Sequence, residues 1–341
     1  MTTAALARST AQNETVWRSI RRTLTDSPAL GPLITLVIVF GLSALLIPNF
    51  ATLRTLSGIL NSATVVGIVT IGITLLMVNG EFDLSVGAML AAGSYLYAFN
   101  TINGGSPVVA ILLALLVPGL LGLINGLLRV STGIHSFVVT LGTQSIFRAA
   151  VWIIAGGELI QTQADLPIYD LLNGRLDLLN NLFERANFRT SLIWFLLLVV
   201  LFEILLMRSR FGNHLFATGG NPGAATAQGV NIKVIRILAF TLVGVLAGFA
   251  GVLDFSQFHS VRVATGAGVE LSAIAASVIG GARLQGGSGS IWGALIGVIL
   301  VSTLRTSAVL LGLPADNFES IVGVCIIGAV VLNNWMRQKF G

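Results

Sequence analysis

The sequence predicts an all-α polytopic membrane protein, and its composition and the length of its apolar runs support that prediction. The 341 residues are 55% hydrophobic and only 10% charged, whereas a soluble domain is about a quarter charged. The mean hydropathy is +0.90. Apolar runs near the roughly 20 residues of a spanning helix follow one another almost from end to end. No stretch is left that would form a soluble domain of useful size.

About ten transmembrane helices are predicted from these runs. They are placed near 32–48, 57–79, 84–100, 107–128, 134–155, 191–207, 234–256, 269–282, 290–305 and 317–334. The eighth run is short and the third is interrupted by small residues, so eight to ten spans remain open.

The domain organisation follows from these spans. We expect a cytoplasmic N-terminal tail (1–31), a transmembrane domain (32–335) that includes a cytoplasmic segment (208–236), and a cytoplasmic C-terminal tail (336–341). With ten spans and the amino terminus inside, more of the 19 Lys and Arg residues fall on inner than on outer segments, as expected for cytoplasmic loops. These residues are scattered singly, so the net charge of +5 does not indicate nucleic-acid binding.

A short internal repeat is visible. Asp83-Leu84-Ser85 opens the third predicted span and Glu270-Leu271-Ser272 opens the eighth. In a five-plus-five arrangement these spans are equivalent and oppositely oriented, which fits the inverted repeats of many transporters. The alternative for so short a match is coincidence.

The segment from Asn79 to Gly87 places two carboxylates and an amide between apolar runs. Ionisable groups at membrane depth are costly and are often functional. The alternative, which the residues alone favour, is a short cytoplasmic turn in which Asp83 and Ser85 cap the next helix.

A second polar segment, 217–230, predicts a short helix on the cytoplasmic side. Asn221 is suited to cap it, Pro222 to be its first residue, and Gly229 to end it after residues 222–228. It is either a loop folded against its own spans or a docking helix for a soluble partner.

These two segments resemble the permease subunits of sugar ABC importers of the ribose, xylose and arabinose type. The first is similar to that family's Gly-Gly-Ile-Asp-Leu-Ser-Val-Gly signature, with Asp83, Leu84, Ser85 and Gly87 in place. The second is similar to its cytoplasmic segment. The resemblance extends from about residue 33 to 335 and includes the turn at 286–290.

The resemblance implies an ATP-driven importer that moves a sugar or sugar-like solute by alternating access. It implies a second permease copy or paralogue, a two-cassette ATPase on the cytoplasmic face and a periplasmic solute-binding protein. It further implies a bacterial inner-membrane location, with both termini cytoplasmic. Residues expected to couple transport to the ATPase, with Pro222 and Ala225 as the main contacts, are Asn221, Pro222, Ala224, Ala225 and Gly229.

Two departures from related patterns stand out. Glu81 occupies a position where the family commonly has a small or apolar residue, which is compatible with an unusual solute such as a polyol. Importers of other classes carry Glu-Ala-Ala-x-x-x-Gly in the coupling loop, whereas this chain has Gly223 at the acidic position. The missing acid puts the class of coupling contact in doubt, not the contact itself.

No catalytic or cofactor site is predicted in this chain. Residues 281–288 have the glycine spacing of a phosphate loop but Gly287 replaces the lysine that meets the phosphates. A partner must therefore hydrolyse ATP. His135, His214 and His259 lie on separate segments, so no metal site is expected.

Polar residues inside the spans are candidates for a solute pathway, since a neutral sugar is handled by hydrogen bonds. The candidates are Asn61, Thr64, Asn125, Thr143, Gln144, Asp254 and Gln257. The alternative for most of them is hydrogen bonding between helices. Arg148 lies near the same helical face as Gln144 and is expected to pair with a carboxylate, for which Glu203 is the candidate.

Other functions remain open at this point. The acids and the inverted repeat would suit a stand-alone secondary transporter driven by protons or sodium. The branched-chain amino acid branch of the same superfamily would differ only in substrate. The residues name neither the solute nor whether the permease pair is a homodimer or a heterodimer.

Overall fold

The computed structural model describes residues 30–164, 166–183 and 185–314, together with 320, 323, 324, 327 and 328. Residues 30 and 31 of the predicted amino-terminal tail are described and belong to the first helix. The rest of the two predicted tails, and the tenth predicted span apart from the few positions named above, lie outside the described residues.

The described chain is built almost entirely of helices. They are α1 (Leu30–Leu46), α2 (Leu53–Val78), α3 (Val86–Ile102), α4 (Pro107–Thr132), α5 (Ser136–Ile154), α6 (Pro167–Asn173), α7 (Asp177–Leu182), α8 (Thr190–Arg208), α9 (Arg210–Gly220), α10 (Pro222–Ala227), α11 (Ile232–Phe258), α12 (Val269–Ile279) and α13 (Ile291–Leu310). Two short strands, β1 (Ile160–Gln161) and β2 (Ser260–Val261), pair antiparallel.

Six helices of the described part are long and apolar enough to cross a membrane: α2, α4, α5, α8, α11 and α13. Two further apolar helices, α1 and α12, are shorter, and α3 has 17 residues. The all-α prediction is confirmed, whereas the ten-span count is supported for six helices only. The inverted repeat stays a prediction.

Helix α11 lies at the centre of the molecule, where it packs against α4, α3 and α2. Its approach to α4 is close because glycines face the contact. A Cβ atom on Gly244 would overlap the carbonyl oxygen of Pro118. Helices α2 and α11 are largely buried, whereas α4, α5 and α8 expose most of their apolar residues. The exposed apolar surface fits contact with lipid, in which each helix satisfies its own backbone hydrogen bonds.

Two of the apolar segments are interrupted. Between α2 and α3 the chain is non-helical over 79–85, although Asn79, Glu81, Asp83 and Ser85 are at most 1% exposed. Helix α12 has 11 residues, which at about 1.5 Å per residue spans roughly half of a 30 Å hydrocarbon layer. Non-helical backbone at such depth is tolerated where protein buries it.

The amino-terminal ends of α3 and α12 meet. A Cβ atom on Gly87 would lie 2.6 Å from Glu270 Oε2 and would overlap the carbonyl oxygen of Gly266. The contact between α3 and α12 is called here the α3/α12 junction. It brings together the two acid-Leu-Ser triplets of the sequence.

Candidate functional site

The first triplet forms a closed hydrogen-bonded cluster with Asn125 of α4. Asp83 Oδ1 accepts from Ser85 N (2.7 Å) and from Ser85 Oγ (2.6 Å). Asn125 Nδ2 donates to Asp83 Oδ2 (3.0 Å) and to Ser85 Oγ (2.8 Å). All three residues are fully buried. The expectation that Ser85 caps α3 through its side chain is wrong, because its hydroxyl is engaged by Asp83 and makes no cap bond.

A polar stripe on α5 holds both interrupted segments in place. Ser136, Thr140, Gln144 and Arg148 are four residues apart and therefore share one helix face. Ser136 Oγ accepts from the backbone nitrogen of Phe82 (3.0 Å), and Thr140 Oγ1 accepts from that of Leu84 (3.0 Å). These bonds satisfy two backbone donors that no helix satisfies.

The other half of the stripe reaches the segment before α12. Gln144 Nε2 donates to Glu270 Oε1 (3.2 Å). Arg148 Nη1 donates to the carbonyl oxygens of Val263 (2.6 Å) and Thr265 (2.7 Å). One helix face therefore positions two segments that are about 180 residues apart in the sequence.

The predicted pairing of Arg148 with Glu203 is wrong. Glu203 Oε2 accepts from the backbone nitrogen of Ile291 (2.7 Å), where a carboxylate is favoured by the amino-terminal end of α13. The two residues are separated because α5 packs on α3 and α4, whereas α8 packs on α2 and α13. The carboxylate that interacts electrostatically with Arg148 is Glu270.

Glu270 is 8% exposed. Its Oε1 accepts from Gln144 and from the backbone nitrogen of Gly268 (3.3 Å). Its Oε2 has no hydrogen-bond partner among the described residues. The sequence pointed to Glu270 through the repeated triplet, but it did not show which groups surround the carboxylate.

The remaining pathway candidates are engaged elsewhere. Asn61 Nδ2 donates to the carbonyl oxygen of Asn187 (2.6 Å), and Gln257 Oε1 accepts from Asn173 Nδ2 (3.2 Å). The other three candidates of this group are Thr64, Thr143 and Asp254. Thr64 and Thr143 donate to carbonyl oxygens of their own helices, and Asp254 is half-buried on α11. Of the seven candidates, Asn125 and Gln144 bond directly to the two triplets, and the solute contacts of all seven stay predictions.

Glu81 joins two helices through buried ion pairs. Arg129 Nε lies 2.9 Å from Glu81 Oε2, and Arg236 Nε lies 2.8 Å from Glu81 Oε1. Arg129 is in the last turn of α4 and Arg236 is in the first turns of α11. The Glu81 side chain is 1% exposed, so its carboxylate is shielded from solvent. The sequence marked Glu81 as unusual but not the two arginines that account for it.

The predicted short helix is present as α10. Asn221 Oδ1 accepts from the backbone nitrogen of Ala224 (3.0 Å), and Gly229 follows the helix with φ +82°. Pro222 and Ala224 are exposed, whereas Ala225 is only 4% exposed and faces inward. Helix α9, which precedes α10, was not predicted.

Glycines connect α10 to the interrupted segment after α2. The backbone nitrogen of Gly287 donates to the carbonyl oxygen of Val78 (2.8 Å). A Cβ atom on Gly219 would overlap that same oxygen and lie 2.7 Å from the nitrogen of Gly287. The contact of α9, the end of α2 and residues 286–287 is called here the glycine junction. Gly219 lies three residues before Pro222, the first residue of α10, and Val78 lies five residues before Asp83.

The bundle of apolar helices with two interrupted segments defines a multi-pass helical membrane protein of the transporter class. The chain belongs to the family described as "Branched-chain amino acid transport system / permease component", whose model matches residues 55–330.

Similar proteins narrow the relationship to importer permeases. The ribose import permease protein of Bacillus subtilis (strain 168) is 33% identical over 307 residues, which cover 89% of this chain and 92% of the relative. The autoinducer 2 import system permease protein of Enterobacter sp. (strain 638) is 33% identical over 319 residues, 93% and 90% of the two chains. No solved structure matches this chain. The resemblance to sugar ABC importer permeases is confirmed.

Proposed function

We propose that this chain is the membrane-spanning subunit of an ATP-driven importer in a bacterial inner membrane, with both termini in the cytoplasm. It moves a sugar or sugar-like solute by alternating access. Its partners are a second permease copy or paralogue, a two-cassette ATPase and a periplasmic solute-binding protein. The observation that carries the transport role is the meeting of two interrupted segments at the α3/α12 junction. Half-helices of this kind form solute sites in many transporters.

The chemistry of the junction suits an uncharged solute. Arg148 and Glu270 carry opposite charges and interact electrostatically. Together they therefore add no net charge to the site. The side chains around this pair are the amides of Asn125 and Gln144 and the hydroxyl of Thr140, together with the carboxylate of Asp83, which accepts hydrogen bonds from Ser85 and Asn125. Such groups exchange hydrogen bonds with solute hydroxyls without requiring an ion.

Helix α10 is the proposed contact with the ATPase. Its surface includes Pro222 and Ala224, which the rest of the described chain leaves exposed. Ala225 packs inward, so we assign it to holding α10 against the permease. Movement of α10 reaches the interrupted segment through the glycine junction, where backbone packs directly on backbone.

The opposite face carries a basic depression suited to the binding protein. Arg54, Arg175 and Arg185 line a cavity of about 480 Å³, and all three are exposed. With the amino terminus of the chain inside, this face is periplasmic. Acidic side chains of a solute-binding protein would complement it and would accelerate its docking.

A secondary transporter is the second candidate function. The buried carboxylates Asp83 and Glu270 favour it, since intramembrane acids often carry protons or bind ions. The family relationship favours the importer. Uptake that persists after ATP depletion, while a proton gradient is held, would decide for the secondary transporter.

Co-purification tests the importer directly. The tagged chain is isolated in mild detergent, and the ATPase activity of the co-purified material is measured. We expect wild type and Ala51→Arg, an exposed control outside the helices, to retain an ATPase subunit. Ala224→Arg, which places the same bulky charge on α10, should lose it. Absence of an ATPase subunit from wild type in every detergent tried would overturn the importer function.

A further inference from the structure

One carboxylate oxygen of the site has no role in the fold. Glu270 Oε1 accepts two hydrogen bonds, from Gln144 Nε2 and from the backbone nitrogen of Gly268. Glu270 Oε2 is buried and accepts none from the described residues. Buried polar atoms are nearly always paired, and an exception requires a physical explanation.

The unpaired oxygen faces the α3/α12 junction. A Cβ atom on Gly87 would lie 2.6 Å from it, so the glycine lets the backbone of α3 pack directly against this oxygen. Asn125, which bonds Ser85 two residues before Gly87, has a second unpaired buried oxygen, Oδ1. Among the described residues, two buried acceptors therefore lack donors, one at the junction and one in the Asp83 cluster.

A ligand that brings a donor would satisfy Glu270 Oε2. A cation is disfavoured, because the positive ends of the α3 and α12 dipoles meet at this point and Arg148 is the nearby opposite charge of Glu270. Hydroxyl groups donate to a carboxylate and to an amide oxygen without adding charge. The chemistry thus favours a neutral molecule with several hydroxyls.

We infer that Glu270 Oε2 accepts a hydrogen bond from a hydroxyl group of the solute, and that α3 covers this oxygen at Gly87 until the two helices separate. This inference rests on the proposed transport function and names the side-chain atom that holds the hydroxylated solute. In the present conformation Gly87 packs against the carboxylate. Separation of α3 from α12 during alternating access would admit the solute between them.

The test measures uptake in cells that express the complete importer. The probes are radiolabelled D-ribose, D-xylose, D-glucose and ribitol, followed by each single-deoxy analogue of the solute that is imported. Wild type is compared with Glu270→Gln and with Glu158→Gln, which makes the same chemical change at an exposed carboxylate. Co-purification of the ATPase subunit is measured for each variant.

Glu270→Gln should lower the maximal uptake rate of the hydroxylated solute by roughly tenfold, because the neutral amide oxygen is a weaker acceptor than the charged carboxylate. The half-saturating concentration, set by the separate binding protein, should not change. For one deoxy analogue, wild type and Glu270→Gln should transport at similar rates, because the contact is missing in both. A purely structural role would lower all rates equally.

Three results would overturn the inference. The first is an unchanged rate in Glu270→Gln. The second is an equal loss for the parent solute and every deoxy analogue. The third is a wild type that imports none of the probes although its ATPase subunit co-purifies, which would reject the solute class while leaving the importer function standing. If the ATPase subunit is missing, the importer function fails, and the comparison of parent and deoxy rates still tests the role of Glu270.

Discussion

Substitution of Gly219 by alanine tests whether the glycine junction is as tight as the structure indicates. The new Cβ atom would overlap the carbonyl oxygen of Val78 and lie 2.7 Å from the nitrogen of Gly287. Both are backbone atoms, so neither can move aside cheaply. Overpacking of this kind costs about 1–3 kcal/mol. Loss of the bond between Gly287 and Val78 would add about 1 kcal/mol.

Gly220 supplies a matched control one residue along the same helix. A Cβ atom there would have its nearest neighbour, Gly287 Cα, at 3.8 Å, which is an ordinary contact. Both substitutions gain about 1 kcal/mol of helix propensity. Gly219→Ala should therefore be destabilised by roughly 1–3 kcal/mol in net terms, whereas Gly220→Ala should be neutral or slightly stabilised.

The assay combines thermal unfolding in detergent with ATP-dependent uptake. Gly219→Ala should unfold at a lower temperature than Gly220→Ala. It should also transport more slowly per ATP hydrolysed, because the junction links α10 to the interrupted segment. If the two variants match in unfolding temperature and in uptake, the contact is looser than described and the coupling route through it is wrong.

Three further predictions concern charged and polar groups. Glu81→Gln should destabilise the protein by about 3 kcal/mol, since Arg129 and Arg236 lose their buried counter-charge. An unchanged unfolding temperature would contradict this. Asn125→Leu should cost about 1–3 kcal/mol because one buried oxygen of Asp83 loses its donor, and equal stability of the variant would show that the cluster is not needed. Arg54→Glu should weaken stimulation of ATPase activity by the binding protein, most strongly at low salt; stimulation equal to wild type at all salt concentrations would place docking elsewhere.

The short helix α10 could be predicted from local signals in the sequence. Asn221, Pro222 and Gly229 act through their own backbone geometry, so the start of α10 and the chain reversal after it could be predicted from neighbouring residues alone. The longer helices α4 and α11 were predicted for a similar reason. A chain in lipid must satisfy its backbone hydrogen bonds within each helix, so hydropathy alone marks their extent.

Contacts between distant residues could not be predicted in this way. Arg148 was expected to pair with Glu203, but the packing of α5 on α3 and α4 places it beside Glu270. Ser85 was expected to cap α3, but its hydroxyl bonds Asp83 instead. In both cases the competing partner comes from the tertiary arrangement, which a single sequence does not reveal.

The class of protein and the positions of its six longest apolar helices thus follow from composition and hydropathy, because the solvent around each helix dictates them. The two acid-Leu-Ser triplets are likewise visible in the sequence. Their meeting at Gly87 and Glu270 is not, because it depends on how α3, α5 and α12 pack. Only that packing leaves one oxygen of Glu270 without a donor among the described residues, and the proposed solute contact rests on that oxygen.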